Sequence, residues 1–165
     1  MTPRGHAATS LCARQPTRGE TRTRLYRNGS LEIEGFPIAE ISELLREEGV
    51  TIWLDLHDPD DADLAVLTEE FGLHPLAVED AIQRHERPKL DRYPDHLFLS
   101  AYAVRLDEAT AALVSSELAA FITPQALITV RKDDGFDVDD LVKRWDDSPD
   151  LAVHGVSYLL HGLLD

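Results

Sequence analysis

The apolar positions change period several times along the chain, and each change marks a predicted element. In "RLYRNGSLEIEG" (residues 24–35) two short alternating runs flank Asn28-Gly29, a pair that tolerates the left-handed backbone of a tight turn, so the stretch predicts a β-hairpin. "PIAEISELLREEG" puts Ile38, Ile41, Leu44 and Leu45 at helical spacing and closes on Gly49, where a helix stops. "VTIWLDL" (residues 50–56) predicts a buried strand. "HDPDDADLAVLTEEFG" predicts a second helix, with Asp58 as its cap, Pro59 as its first residue and an acidic first turn. Leu64, Leu67 and Phe71 face inward there, and Gly72 ends the helix. A short third helix begins at Pro75 in "HPLAVEDAIQ".

From Pro88 the period shortens. "KLDRY", "HLFLSAYAVRL", "LVSSELAAFITP" and "ALITVRK" are strand-like and joined by short links, "DEATAA" and Thr123-Pro124-Gln125 among them, which predicts an antiparallel meander. Helical spacing returns in "FDVDDLVKRWDDSP" and in "LAVHGVSYLLHGLLD". In the last segment Leu151, Val153, Val156, Leu159, Leu160, Leu163 and Leu164 cover more than one helical face, and no capping turn closes it before Asp165, as expected for the start of a longer helix with an unpartnered side.

The 165 residues suit one domain, and unbroken apolar runs of only a few residues fall far short of the roughly 20 that span a bilayer. A soluble chain is the expectation. Its formal charge of −15 argues against a nucleic-acid partner, because affinity for a phosphate backbone comes from Lys and Arg releasing counterions. The charge is uneven. Residues 1–27 hold six arginines and Glu20 alone, leaving 10 basic and 30 acidic residues in a body near −20. The leader lacks an apolar core segment and is read as a disordered Arg-rich tail over residues 1–23, followed by a domain over 24–150. Cys12, the single cysteine, lies in the tail, so an internal disulfide or a cysteine-based zinc site is out of reach.

The chemistry is concentrated in "FGLHPLAVEDAIQRHERPKLDRYPDHLFL" (residues 71–99). Ser157 in "HGVSYLLHG" fails the nucleophile-elbow pattern, which needs Gly where Leu159 stands, and no glycine-rich phosphate loop occurs. No enzyme is expected. Asp58, Asp60 and Glu69 mimic a calcium loop, but Ala62 and Asp63 stand where an oxygen ligand and Gly are needed, so the stretch is read as a capped helix start. His74, His85 and His96 recur every eleven residues, yet Pro75, Pro88 and Pro94 forbid the helix that would align them. The acidic pair Glu79-Asp80 opposes the dipole near the end of its helix. Gln83 and Arg84, each four residues on, offer internal compensation; the other reading is a cation shared with groups elsewhere. Adjacent helical residues point about 100° apart, so the two carboxylates are ill placed to chelate one small ion together. One of them facing a partner chain is the more natural arrangement.

The same stretch resembles the cytoplasmic domain of the CorA family of divalent-cation transporters, whose run F-G-[LI]-H-P-L-x-x-E-D is followed by R-P-K, an aromatic residue and a strand. Upstream, "VTIWLDLHDPDDADLAVLTEEFG" is similar to the family's Trp-bearing strand and following helix. Downstream, "YLLHGLLD" is similar to the start of its long helix, so the resemblance covers residues 25–165. It implies an α/β (α+β) fold, a mixed and largely antiparallel sheet sandwiched between two helical layers, within a funnel-shaped homopentamer. Residues 151–165 would begin the helix toward an inner-membrane part that this sequence does not contain, as it does not contain the Gly-Met-Asn pore loop. The resemblance also implies a regulatory Mg2+ bridging neighbouring protomers, with Asp80 as a ligand and Glu79 as a weaker candidate; Co2+ and the zinc-transporting branch (Zn2+) remain open. The partner acids that would face Asp80 are implied to lie on the long helix, beyond Asp165. His74, Pro75, Arg87, Pro88 and Lys89 are the motif's structural members. The expectation is therefore a magnesium-sensing cytoplasmic domain without its pore, the alternative being a soluble acidic adaptor that binds a protein through its C-terminal helix.

Overall fold

The computed structural model describes residues 19–84 and 87–165. Cys12, His85 and most of the expected tail lie outside the described residues. The elements run β1 (Glu20–Arg27), β2 (Ser30–Glu34), a 3-10 turn (Ile38–Glu40), α1 (Ile41–Leu44), β3 (Val50–His57), α2 (Asp61–Phe71), α3 (Pro75–Ile82), β4 (Lys89–Arg92), β5 (Leu97–Asp107), β6 (Ala112–Ile122), β7 (Ala126–Arg131), α4 (Val138–Asp146), α5 (Pro149–Ala152) and α6 (Val156–Leu164).

Seven strands form one sheet in the order β2-β1-β3-β7-β6-β5-β4. β3 and β7 run parallel, and the other neighbouring pairs are antiparallel. This is the mixed, largely antiparallel sheet that the resemblance implied. The helices cover both of its faces. Alternation along β3 sends Ile52, Leu54 and Leu56 to one side, where they meet Ile41, Leu64, Leu67, Ala77 and Ala81 of α1–α3. Trp53 goes to the other side and joins Leu141 and Trp145 of α4 and Val156, Leu159 and Leu163 of α6. The two indole rings meet edge-on, 5.0 Å between centroids.

The Asn28-Gly29 turn forms as expected, both residues with positive φ (50° and 85°). The meander of β4–β7 and the left-handed Gly72 cap of α2 also follow the sequence reading. Four local expectations are corrected. Residues 20–23, assigned to the tail, belong to β1, because the strand pairs with β3 along its whole length from Glu20–His57 to Arg27–Val50. α2 starts at Asp61 rather than Pro59. Asp58 has a φ of 46°, and the cap is Asp60, whose Oδ1 accepts from the backbone N–H of Ala62 (2.8 Å) and Asp63 (3.0 Å) while Asp63 accepts from the Asp60 N–H. The first helix is a 3-10 turn followed by a single α-turn. The C-terminal segment is two helices, broken at Gly155, whose φ of 62° and ψ of −137° suit glycine alone. Its apolar residues are also divided. Val156, Leu159 and Leu163 are buried on α4, and only Leu151, Val153 and Leu164 face outward, which removes the continuous exposed face that the adaptor reading needed.

Candidate functional site

The acidic pair stands on α3, an eight-residue helix whose start is built by His74 and Pro75. His74 Nδ1 accepts the Leu76 N–H at 3.3 Å, and Pro75 occupies the first turn, where its missing N–H costs nothing. Ala77, Val78 and Ala81 are buried on the sheet, which turns Glu79 to solvent and leaves Asp80 at the rim. The helix ends at Ile82, with Gln83 extended (ψ 137°).

Of the two compensations expected within α3, one forms: Gln83 Nε2 donates to Glu79 Oε1 at 3.4 Å. Arg84 instead donates to the Lys132 carbonyl at 3.5 Å. The partner of Asp80 is Lys89, the first residue of the edge strand β4, whose Nζ donates to Asp80 Oδ2 at 2.7 Å. That ammonium also lies 3.4 Å from Asp91 Oδ2 and 5.6 Å above the ring of the buried Phe98. Its hydrogen bond to Asp80 raises the Lys89 pKa, partial desolvation opposing, so Lys89 is charged at neutral pH. Both side chains are partly open, 27% exposed for Asp80 and 29% for Lys89, and pairs of that kind contribute about 0.2–1 kcal/mol. Arg87 and Pro88 are exposed just ahead of β4. The site is thus one rim carboxylate neutralised by one ammonium, with Glu79 beside it. Among the described residues no group of three or more His, Cys, Asp or Glu side chains is placed to hold a metal ion.

Asp165, beyond which the resemblance sets the partner acids, directly follows α6 and is exposed. Its Oδ2 accepts from Arg144 Nη1 of α4 at 3.0 Å, and its backbone N–H donates to the His161 carbonyl at 3.1 Å. The segment read as the start of one long helix from Leu151 is thus, up to Asp165, the end of α5, a break at Gly155 and α6 rather than a continuous rod.

His74 and His96 do come together, on one tyrosine. Tyr93 stacks with His74 at 5.0 Å and with His96 at 4.7 Å, and the chain of rings continues to Phe121 and Phe98. His96 is 7% exposed and its Nε2 has no hydrogen-bond partner among the described residues. Burial lowers its pKa, Asp95 pulling the other way. A histidine whose folded pKa lies below its unfolded value (about 6.5) binds its proton more readily when unfolded. Its contribution to stability is therefore complete above that value and falls as the pH drops through it. Urea unfolding at pH 7.5 and at pH 5 is expected to show a stability loss on acidification that is smaller in His96→Phe; equal losses in both proteins would refute the assignment to His96.

Residues that the sequence reading missed lie at the other end of the sheet. There the start of β1 and Arg131 at the end of β7 line a cleft of about 550 Å³ walled further by Glu34, Asp134, Phe136 and Asp139. Asp55 is fully buried beneath it, accepting from Arg131 Nε and Nη2 (3.1 and 2.6 Å) and from Thr129 Oγ1 (2.5 Å). Trp53 Nε1 donates to the same hydroxyl at 3.2 Å. The only sequence signal for this network is a charge within each of the apolar runs "IWLDL" and "LITVR". Arg22 and Arg24 of β1 tie down α4 through Asp139 and Asp146, both at 2.6 Å.

Residues 48–165 match the family model described as CorA-like Mg2+ transporter protein. Among characterised relatives, the cobalt/magnesium transport protein CorA of Thermotoga maritima is 24% identical over 140 residues, 81% of this chain and 39% of the relative. A Bacillus subtilis protein provisionally named as a metal ion transporter, YfjQ, is 28% identical over 113 residues, 68% of this chain and 34% of the relative. The chain thus spans little more than a third of the length of these two. In fold it is similar to the full-length CmaX protein (TM-score 0.68, 21% identity, 90% of this chain and 45% of that one). It is also similar to the soluble domain of CorA from Methanocaldococcus jannaschii (TM-score 0.58, 17% identity, 86% and 54%).

Proposed function

This chain belongs to the CorA-like Mg2+ transporter family, and from that premise we propose that it is the cytoplasmic magnesium-sensing domain of such a transporter. The observation that supports this reading best is the placement of Glu79 and Asp80 at the outer end of α3, Asp80 at the rim with only a monovalent ammonium upon it. The donor set of one chain suits a divalent ion as half a site. Carboxylate oxygens match a hard, partly hydrated ion such as Mg2+ better than Zn2+, which favours nitrogen and sulfur. Among the described residues no group of three or more such side chains is gathered at either acid, so in this reading the remaining ligands come from a neighbouring protomer and from water.

In this reading identical protomers, five in the assembled protein, are drawn together by a shared ion at Asp80, with Glu79 serving a weaker second position. Without the ion, acidic surfaces on a chain of net charge −15 repel across the interface and the ring loosens. Residues 151–165 lead toward the inner-membrane portion, this domain lying on the cytoplasmic side. The domain carries out no catalytic step; its output is the opening or closing of a pore. No helix of the described residues is long and apolar enough to cross a membrane.

The test is limited proteolysis of the full protein across a magnesium series. Asp80→Ala is expected to weaken magnesium-dependent protection markedly. Protection identical to wild type at every magnesium concentration would refute the sensing role.

A further inference from the structure

We infer that Lys89 is a tethered competitor for the cation at Asp80: its ammonium holds the carboxylate in the ion-free protein and gives it up when a divalent ion binds. The inference rests on the sensing role proposed for Asp80, and it adds the element that sets the concentration at which the site responds.

Three features of the geometry carry it. First, the contact is a charge-assisted hydrogen bond of 2.7 Å to Oδ2, made by a cation fixed on a β-strand rather than by a side chain of α3 itself. Lys89 is held in register by pairing opposite Ser100, so the ammonium is presented to Asp80 whenever the sheet is intact. Second, the ammonium has another seat. Asp91 Oδ2 is 3.4 Å away and the face of Phe98 lies beneath, so leaving Asp80 strands no charge. Third, the pair is partly open to water, which keeps the exchange within reach of a weakly bound ion. A buried pair would lock the carboxylate, whereas an isolated carboxylate would respond at lower ion concentrations.

Exchanging one cation for another at the same oxygen makes the apparent affinity for magnesium the intrinsic affinity divided by the hold of the lysine. Lys89→Gln is therefore expected to lower the magnesium concentration for half-maximal protease protection of the full protein, roughly 1.5- to 5-fold, the equilibrium weight of a partly exposed ion pair. Lys89→Arg, which keeps the charge on the strand, is expected to stay at or above the wild-type midpoint. Arg87→Gln removes a neighbouring positive charge from an exposed position and is expected to leave the midpoint unchanged. Folding of each variant is checked by its amide NMR spectrum. Should Lys89→Gln unfold, Lys89→Met, which keeps an apolar stem over Phe98 and removes the ammonium, is expected to lower the midpoint in the same way.

A folded Lys89→Gln protein with an unshifted midpoint overturns the inference. So does an equal shift in Arg87→Gln, which would assign the effect to the general field rather than to the seat. If Asp80→Ala responds to magnesium as wild type does, the sensing role itself has failed, a result distinct from both.

Discussion

Asp55→Ala is expected to lower the unfolding free energy by about 3–5 kcal/mol, the cost of leaving one half of a buried ion pair without the other. Asp55 is 0% exposed and Arg131 4%, so the pair is shielded from bulk water in the folded protein. The guanidinium is held by two strong donations to Asp55 and a weaker one to the Phe136 carbonyl (3.4 Å). Without Asp55 it would keep the weak contact alone. Thr129 Oγ1 loses the acceptor that orients it to receive the Trp53 Nε1 donation. Urea unfolding followed by tryptophan fluorescence measures the loss, because the Trp53–Trp145 contact lies directly on this network. The double variant Asp55→Leu, Arg131→Met is expected to recover much of the loss, since apolar side chains of similar volume carry no desolvation penalty. A loss below about 1 kcal/mol in the single variant would mean that the pair is effectively solvated.

Gly29→Ala is expected to cost about 2–5 kcal/mol, from two separable sources. A residue with a side chain pays about 1–2 kcal/mol in the left-handed region, where Gly29 has a φ of 85°. The added Cβ would also lie 2.5 Å from the Pro149 carbonyl oxygen and 2.6 Å from the Val153 nitrogen, backbone atoms of α5 and its end that have no rotamer to change. Forcing them apart adds about 1–3 kcal/mol. Gly35→Ala serves as the control. Its φ is 76°, yet a Cβ there would meet nothing within 4 Å, so only the conformational cost applies. Comparing the two by chemical denaturation isolates the contact between the β1–β2 turn and α5. Equal losses would show that α5 yields freely.

What the sequence made legible follows from the range of the forces involved. Asn28-Gly29, Gly72 and Pro75 act through their own backbone, and the elements they bound stand where the pattern placed them. The alternation of β5–β7 is equally local, and their antiparallel order came with it. Long-range pairing escaped. Nothing within "ETRT" announces a strand; it becomes one because β3 offers a full-length partner, Thr23 Oγ1 donates to the Phe36 carbonyl and Arg22 and Arg24 find acids on α4. At the candidate site the acids were identified but not their partner. Helical spacing pointed from Asp80 to Arg84, while the partner is Lys89, nine residues on at the start of another strand, a separation that lies outside the helix. Asp58 lost the cap to Asp60 in a run of near-equivalent acids, where the capping box with Asp63 decides.

The place of β7 in the sheet bears on how the chain acquires its structure. It is the last strand in sequence, yet it lies between β3 and β6, and it bonds to a strand that precedes it by 74–76 residues. During synthesis the three strands β1–β3 and the three strands β4–β6 emerge as half-sheets, each with an open inner edge, and neither can close on the other. Loop-closure entropy is paid in full before the parallel β3–β7 ladder returns anything, so folding is slow relative to the local hairpins and is completed only after residue 131 has left the ribosome. Until then the unpaired backbone edges of β3 and β6, which β7 later fills, are the surfaces that a chaperone would hold.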